Sequence, residues 1–146
     1  MKRFARTVHH DLPPERARER VTATAAGLGF QPEPGVELGF VRGTWVGQIT
    51  AVNPKRLRAR LGVALRPGEA ALELQVRAFP SLLFPQDLRF YETELDALEA
   101  ALLGRALESS PAQAEREAWI FSWVVLGLMA LLGLGGAARL LGLRWF

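Results

Sequence analysis

The pattern of hydrophobic and polar residues changes character near residue 118. From there to residue 138 the chain reads AWIFSWVVLGLMALLGLGGAA, which is 21 residues without a charged side chain. Because a helix rises about 1.5 Å per residue, roughly 20 such residues cross the hydrocarbon core of a bilayer. The pattern therefore predicts a single transmembrane helix over 118–141, followed by a short interfacial C-terminus at 142–146.

Before the uncharged run, apolar residues recur with the spacings of short strands and helices. Residues 3–10 favour a strand, and two prolines then start a predicted helix that runs over 14–28 with small and apolar residues on its inner face. The segment QPEPG reads as a rigid turn. Alternation over 36–41 predicts a second strand, which a turn of Arg, Gly and Thr connects to a third strand at 45–52.

A hairpin between Lys55 and Phe79 has the clearest strand pattern. Apolar residues alternate with arginines in KRLRARLGVAL and with polar residues in AALELQVRAF, and Arg-Pro-Gly-Glu forms the turn. Placing both apolar sets on one face requires paired residue numbers with an odd sum. The turn suggests 135, which pairs Leu61 with Leu74, Val63 with Leu72, Arg58 with Arg77 and Arg60 with Gln75.

The segment 86–103 predicts a long helix that packs on the sheet. Its apolar residues follow spacings of 3, 4, 3 and 4 and form one seam: Leu88, Tyr91, Leu95, Leu98 and Leu102. The acidic residues are expected off that seam: Glu92, Glu94, Asp96 and Glu99. An apolar loop at 80–85 precedes this helix and is expected to cap the core, with a protein or membrane contact as the alternative.

The boundaries follow from these elements. Residues 1–108 are expected to form one soluble domain, and 109–117 a linker with the start of a stalk helix. Ser-Pro at the linker, with a glutamine three residues after the serine, is a capping-box pattern that predicts a helix start near Pro111. The final helix would thus begin outside the membrane and couple the domain to the span.

The predicted fold class is α+β, with a small antiparallel sheet of about four to five strands packed by two helices and a single C-terminal transmembrane helix. The order of elements resembles that of helix-grip or ferredoxin-like domains. That likeness is one of architecture and implies no function.

Composition narrows the function classes. The formal net charge is +3, and residues 1–117 hold 16 basic against 15 acidic residues. This near balance lacks the excess of basic residues that is typical of nucleic-acid-binding domains. The absence of cysteine excludes disulfides and thiolate chemistry. Arginine outnumbers lysine 16 to 2, which points to a GC-rich bacterial genome. No cofactor or metal site is predicted.

Three groups of residues are candidates for contacts. Small residues that favour helix packing are Gly127, Ala130, Gly133, Ala137, Ala138 and Gly142. Residues expected at the membrane interface are Trp119, Trp123, Arg139, Arg144 and Trp145. A row on one sheet face suits an anionic partner or lipid, with a solvated face as the alternative: Arg56, Arg58, Arg60 and Arg77.

No catalytic motif is evident. The adjacent His9 and His10 would point to opposite faces of a strand and cannot bind one metal together. The sequence therefore predicts a non-enzymatic accessory subunit of a bacterial membrane complex, bioenergetic or transport, whose partners are integral membrane subunits and membrane lipid. It is expected in the inner (plasma) membrane, with the N-terminal domain cytoplasmic. A membrane-tethered ligand-binding or regulatory domain is the alternative, its small-molecule ligand unknown.

Overall fold

A computed structural model describes residues 1–43, 54–77, 85–106 and 111–140, with the helix backbone alone given for 131–140. The chain forms five strands, one 3-10 helix and three α-helices in these ranges: β1 (Lys2–His9), α1 (Pro14–Gly27), β2 (Gln31–Pro32), β3 (Gly39–Arg42), the 3-10 helix (Pro54–Arg56), β4 (Arg58–Arg66), β5 (Glu69–Arg77), α2 (Pro85–Leu103) and α3 (Pro111–Leu140). The strands make one antiparallel sheet in the order β1-β5-β4-β3-β2, with α1 and α2 packed on one face. The α+β fold class with a small antiparallel sheet is therefore confirmed.

The β4–β5 hairpin has the predicted register. Leu61 lies opposite Leu74, Val63 opposite Leu72, and Arg58 opposite Arg77. The alternation buries every second residue of each strand under the helices and leaves the arginines on the other face. The period of two, combined with the position of Pro-Gly in the turn, was enough to determine the pairing because a slip of one residue would expose the whole apolar set.

The predicted strand at 36–41 was wrong in its bounds. The chain is still turning there: the N–H of Val36 bonds to the carbonyl of Glu33 at 3.3 Å, and the N–H of Gly39 bonds to the carbonyl of Val36 at the same distance. Val36 is consequently 40% exposed, and β3 begins only at Gly39. The short β2, which pairs with β3, was not predicted. The predicted strand at 45–52 and residues 80–84 of the predicted loop lie outside the described residues, and the last residue of that predicted loop, Pro85, begins α2.

The core lies between the sheet and the two helices. Ala17, Val21 and Ala25 of α1 are buried there, at the spacing the sequence predicted. On α2 the predicted seam is buried from Tyr91 onward, whereas Leu88 is only partly covered. Phe90 is buried instead, so the buried face of α2 is wider than one seam.

The last helix, α3, starts at Pro111 as predicted and continues without interruption to Leu140. In the part of the chain described above, no helix combines the length and the hydropathy needed to cross a bilayer. The transmembrane assignment of 118–141 stays a prediction.

Candidate functional site

A buried ion pair joins the sheet to α2. The side chain of Arg42, on β3, reaches Glu94 with two hydrogen bonds, one from Nη1 to Oε1 and one from Nη2 to Oε2 at 2.9 Å. Only 5% of the Arg42 side chain and 2% of the Glu94 side chain are exposed. Nη1 also donates to the backbone carbonyl of Leu28 at 2.7 Å, which connects the C-terminal end of α1 to the same guanidinium.

Aromatic rings flank this guanidinium. The Cζ atom of Arg42 lies 4.3 Å from the centroid of the Phe30 ring and 5.6 Å from that of Phe90. Burial raises the pKa of the Glu94 carboxyl, and the hydrogen bonds from Arg42 oppose that rise. The Nε atom of Arg42 has no hydrogen-bond partner among the described residues. The pair thus holds β3, α1 and α2 together in a dry setting.

The 3-10 helix connects this cluster to α3. The hydroxyl of Tyr91 donates to the carbonyl of Pro54 at 2.8 Å, and burial raises the pKa of the Tyr91 phenol. The next residue, Lys55, forms an ion pair with Glu115 of α3, with 3.2 Å between Nζ and Oε2. The start of α3 is therefore attached to the domain through α2 and the 3-10 helix, a region that we call the junction.

A small cavity of about 220 Å³ lies at the junction. Its wall combines the end of α1, the 3-10 helix, α2 and the first turns of α3, through Gly27, Leu28, Lys55, Phe90, Glu94, Ala112 and Glu115. Ligand pockets for drug-sized molecules span about 300–1,000 Å³, so this cavity suits only a small molecule or ion.

The described residues contain no group of three or more His, Asp or Glu side chains arranged to hold a metal ion. His9, the last residue of β1, is exposed, and His10 is buried. The Nδ1 atom of His10 accepts the N–H of Leu12 at 3.3 Å, and its Nε2 has no partner in the described part of the chain.

The predicted arginine row is on the open face of the sheet, with one exception. Arg58 and Arg60 lie on β4 and Arg77 ends β5. Arg56 was wrongly placed on that strand face, because it belongs to the 3-10 helix before β4. Arg60 forms an ion pair with Glu33, with 2.6 Å between Nε and Oε2. A shallow groove of about 200 Å³ runs between Arg58, Arg60 and Arg77.

The apolar part of α3 is exposed. Seven large side chains there are between 46% and 66% exposed: Trp119, Ile120, Trp123, Val124, Leu126, Leu128 and Met129. Leu126 and Leu128, two residues apart, point to opposite sides of the helix, so the exposed apolar surface covers most of its circumference. Phe121 and Val125, on one side, are only partly exposed. The rings of Trp119 and Trp123 meet edge to face, with centroids 6.0 Å apart.

The residues predicted for helix packing and the far membrane interface are only partly described. Gly127 and Ala130 are exposed, and nothing lies within 4 Å of the position that a Cβ would take on Gly127. Gly133, Ala137, Ala138 and Arg139 lie in the helix backbone of α3. Gly142, Arg144 and Trp145 lie outside the described residues.

Sequence reasoning missed the Arg42–Glu94 pair. Arg42 was placed in a turn and Glu94 on an acidic outer face. The sequence does contain a signal that each residue is buried. Arg42 is two residues from Phe40 and shares its face on a strand, and Glu94 lies between Phe90 and Ala97 at helical spacing. The local pattern does not show that the two residues pair with each other, because they are 52 positions apart.

Comparisons of the chain with protein-family models, with curated proteins and with solved structures gave no match.

Proposed function

We propose that this protein is a single-span membrane protein and a non-catalytic accessory subunit of a larger bacterial membrane complex, bioenergetic or transport. The observation that carries the proposal is the surface of α3. Its apolar residues lie all around the helix, and a helix that is apolar all round is normally buried in protein or in lipid. Within the described chain only the side of Phe121 and Val125 is partly covered, and the large side chains on the other sides are exposed.

The sequence extends that surface into a segment long enough for a membrane. The uncharged run continues to Ala138, eight residues beyond the last side chain described on α3. A stretch of about 20 apolar residues is what the hydrocarbon core requires. The tryptophans at its start suit an interface between lipid and water. A single anchor in the plasma membrane, with the domain on the cytoplasmic side, follows from this proposal.

The junction supports a role in holding rather than in chemistry. Lys55 and Glu115 attach the first turns of α3 to the domain, and the helix then runs unbroken to Leu140. A movement of the span would therefore move the sheet as well, because α2 connects the two. Such a connection suits a subunit that fixes the position of neighbouring integral membrane proteins.

Purification from membranes in mild detergent, followed by mass spectrometry, tests the proposal. We expect integral membrane proteins to co-purify in fixed ratio with the tagged chain. Gly133→Leu places a large side chain on the small-residue face and should reduce that ratio at least severalfold. Leu128→Ile, roughly 140° away around the helix, is the matched control and should leave it unchanged. Recovery of wild type as a lone monomer would remove the subunit role.

The cavity at the junction favours one second candidate, a membrane-tethered ligand-binding or regulatory domain. Its wall contains Lys55, Glu94 and Glu115, and its size admits a small polar molecule. Thermal stabilisation of the full chain by a single metabolite, abolished by Ala112→Phe in the wall of the cavity, would support this candidate. Stabilisation that persists in that variant would place the ligand elsewhere.

A further inference from the structure

Two arginines at one end of the sheet have no acidic partner in the described part of the chain. Arg58 and Arg77 occupy directly opposed positions on β4 and β5, and both are exposed. Neither forms an ion pair with any residue that the structure describes. Like charges in opposed positions destabilise a strand pair. An anion bound between the two guanidinium groups would remove this repulsion.

The other arginines on the same face lie beside or opposite acidic residues. Arg3 contacts Glu73 at 2.7 Å, and Arg60 contacts Glu33 at 2.6 Å. Arg66 has no ion pair among the described residues, but the residue opposite it in the hairpin is the acidic Glu69. At the end of the sheet where β4 begins and β5 ends, by contrast, two arginines oppose each other. A solvated face with evenly distributed charge would not show this difference between its two ends.

The groove at this end has the donors that a phosphate group needs. Arg58 and Arg77 line it together with Gln75, and each guanidinium carries five N–H donors in a planar fork. The carboxylate of Glu33 also lines the groove, where its ion pair with Arg60 offsets its charge. Arginine forms paired hydrogen bonds with phosphate oxygens. The groove also contains the side chain of Met1, which is 71% exposed. Two cationic forks beside an exposed apolar side chain match the chemistry of a lipid headgroup region.

The position of the groove relative to α3 identifies the source of the phosphate. Arg58 follows Lys55 by three residues, about 10 Å of chain at most. Lys55 contacts Glu115 on α3 at 3.2 Å, and Trp119 lies one helical turn further on. The groove is consequently at the end of the domain where the apolar surface of α3 begins. The exposed Arg56 lies between Lys55 and Arg58 and adds a third positive charge there.

We propose that Arg58 and Arg77 form a binding site for the phosphate of an anionic lipid, at the membrane surface beside α3. The site rests on the proposed membrane location of α3, which brings headgroups within reach of this end of the sheet. Each basic residue near an anionic membrane surface increases the affinity about fivefold. The pair would hold the open sheet face against the bilayer and fix the domain's orientation around the helix axis.

The test uses the full chain reconstituted in nanodiscs that contain phosphatidylcholine and phosphatidylglycerol. The relative association of spin-labelled forms of the two lipids with the protein gives the preference for the anionic lipid. We expect wild type to prefer phosphatidylglycerol by about five- to twenty-five-fold, the range from one to two fully effective arginines. Arg58→Gln/Arg77→Gln should bring the ratio close to one. Arg66→Gln is the matched control, on the same strand and face at the other end, and should retain the preference.

The outcomes separate the two proposals. Insertion is checked first, with the chain reconstituted in vesicles of the same two lipids, by its resistance to extraction at alkaline pH. If the chain is extracted, both the membrane location and the lipid site are overturned. If it is retained but the double variant has the wild-type preference, the lipid site alone is overturned.

Two further results would also contradict the lipid site. Equal losses in the double variant and in Arg66→Gln would show a diffuse charge effect instead of a site. Absence of any lipid preference, together with an acidic protein that co-purifies with wild type but not with Arg58→Gln/Arg77→Gln, would assign the arginines to a protein partner. Because all three arginines are exposed, the double variant and Arg66→Gln should both remain folded and unfold close to the wild-type temperature, which controls for misfolding.

Discussion

The two long helices α2 and α3 differ in where their apolar side chains go. On α2 the apolar residues occupy one side and are buried against the sheet and α1, whereas the residues on the other side are charged. On α3 the apolar residues surround the helix, and most of those whose side chains are described are exposed. An amphipathic helix finds its partners in its own domain, and an all-apolar helix requires partners from elsewhere. The comparison locates the external contacts of this protein on α3.

The two helices also differ in how charge is used. Glu94 of α2 is buried, and Arg42 compensates it with paired hydrogen bonds. Glu115 of α3 remains partly exposed and contacts Lys55 at the edge of the domain. A buried charge is costly to leave unpaired, while a partly exposed one is not. Substitutions in α2 should therefore affect folding, and those in α3 should affect association.

The largest expected effect comes from Glu94→Ala. Because the substitution leaves the Arg42 guanidinium buried without its carboxylate, it should lower the free energy of unfolding by about 3–5 kcal/mol. Urea denaturation in mild detergent measures the change. Glu92→Ala, on the exposed side of the same helix, is the control and should change stability by less than about 0.5 kcal/mol.

The double variant Arg42→Met/Glu94→Leu separates the cost of the unpaired charge from the loss of packing. It removes both charges and should recover much of the stability lost in Glu94→Ala. A Glu94→Ala variant as stable as wild type would contradict the buried pair.

The next effect tests packing directly. Leu98→Ala empties part of the core under α2 and should destabilise the domain by about 2–5 kcal/mol. Leu128→Ala removes the same side chain from α3, where it is exposed, and should change the unfolding of the domain by less than about 0.5 kcal/mol. Equal losses from the two substitutions would mean that α3 belongs to the folded core.

A smaller effect is expected at the contact of α2 with the 3-10 helix. Tyr91→Phe removes the hydrogen bond to Pro54 and should cost about 1 kcal/mol. Burial raises the pKa of Tyr91 in the folded chain, whereas the unfolded phenol ionises near pH 10. The stability linked to this group is therefore present below pH 10 and decreases as the pH rises above it.

The pH dependence has a convenient reporter. Tyr91 is the only tyrosine of the chain, so the ultraviolet absorbance of tyrosinate reports on it alone. We expect that absorbance to appear together with unfolding, and the alkaline loss of stability to be smaller in Tyr91→Phe. Ionisation of Tyr91 near pH 10 in a chain that stays folded would contradict its burial.

The smallest effect is expected at the junction. The ion pair of Lys55 with Glu115 is partly exposed, so its coupling energy should lie at about 0–1 kcal/mol. A double-mutant cycle with Lys55→Met and Glu115→Gln measures it. A coupling above about 2 kcal/mol would show that α3 is bound to the domain as firmly as α2.

The sequence predicted those parts of the fold where a local period determines the answer. The β4–β5 register followed from alternation and from a single turn, and the start of α3 followed from Pro111. The bounds of β3 were wrong because Pro34-Gly35 extends the turn beyond the first apolar residue, Val36. Alternation alone does not show where a turn ends.

The site was harder to predict than the fold. The Arg42–Glu94 pair depends on how β3 faces α2, which no local pattern contains. The arginine row was visible in the sequence, but its unbalanced end became clear only when Glu33 was found beside Arg60. Arg56 was misplaced because the alternation of KRLRAR continues through residues that form a 3-10 helix. Which arginines have an acidic neighbour therefore depends on the folded structure and could not be predicted from the sequence alone.

The central claim is that the apolar surface of α3 is buried in a membrane. The chain has no cysteine, so single-cysteine variants can be labelled without background. Gln113→Cys and Leu128→Cys lie on the same helix, and both positions are exposed in the isolated chain. In lipid vesicles opened to reagent on both sides, a charged maleimide should label Gln113→Cys readily and leave Leu128→Cys unlabelled. Equal labelling of the two positions in vesicles would contradict the claim.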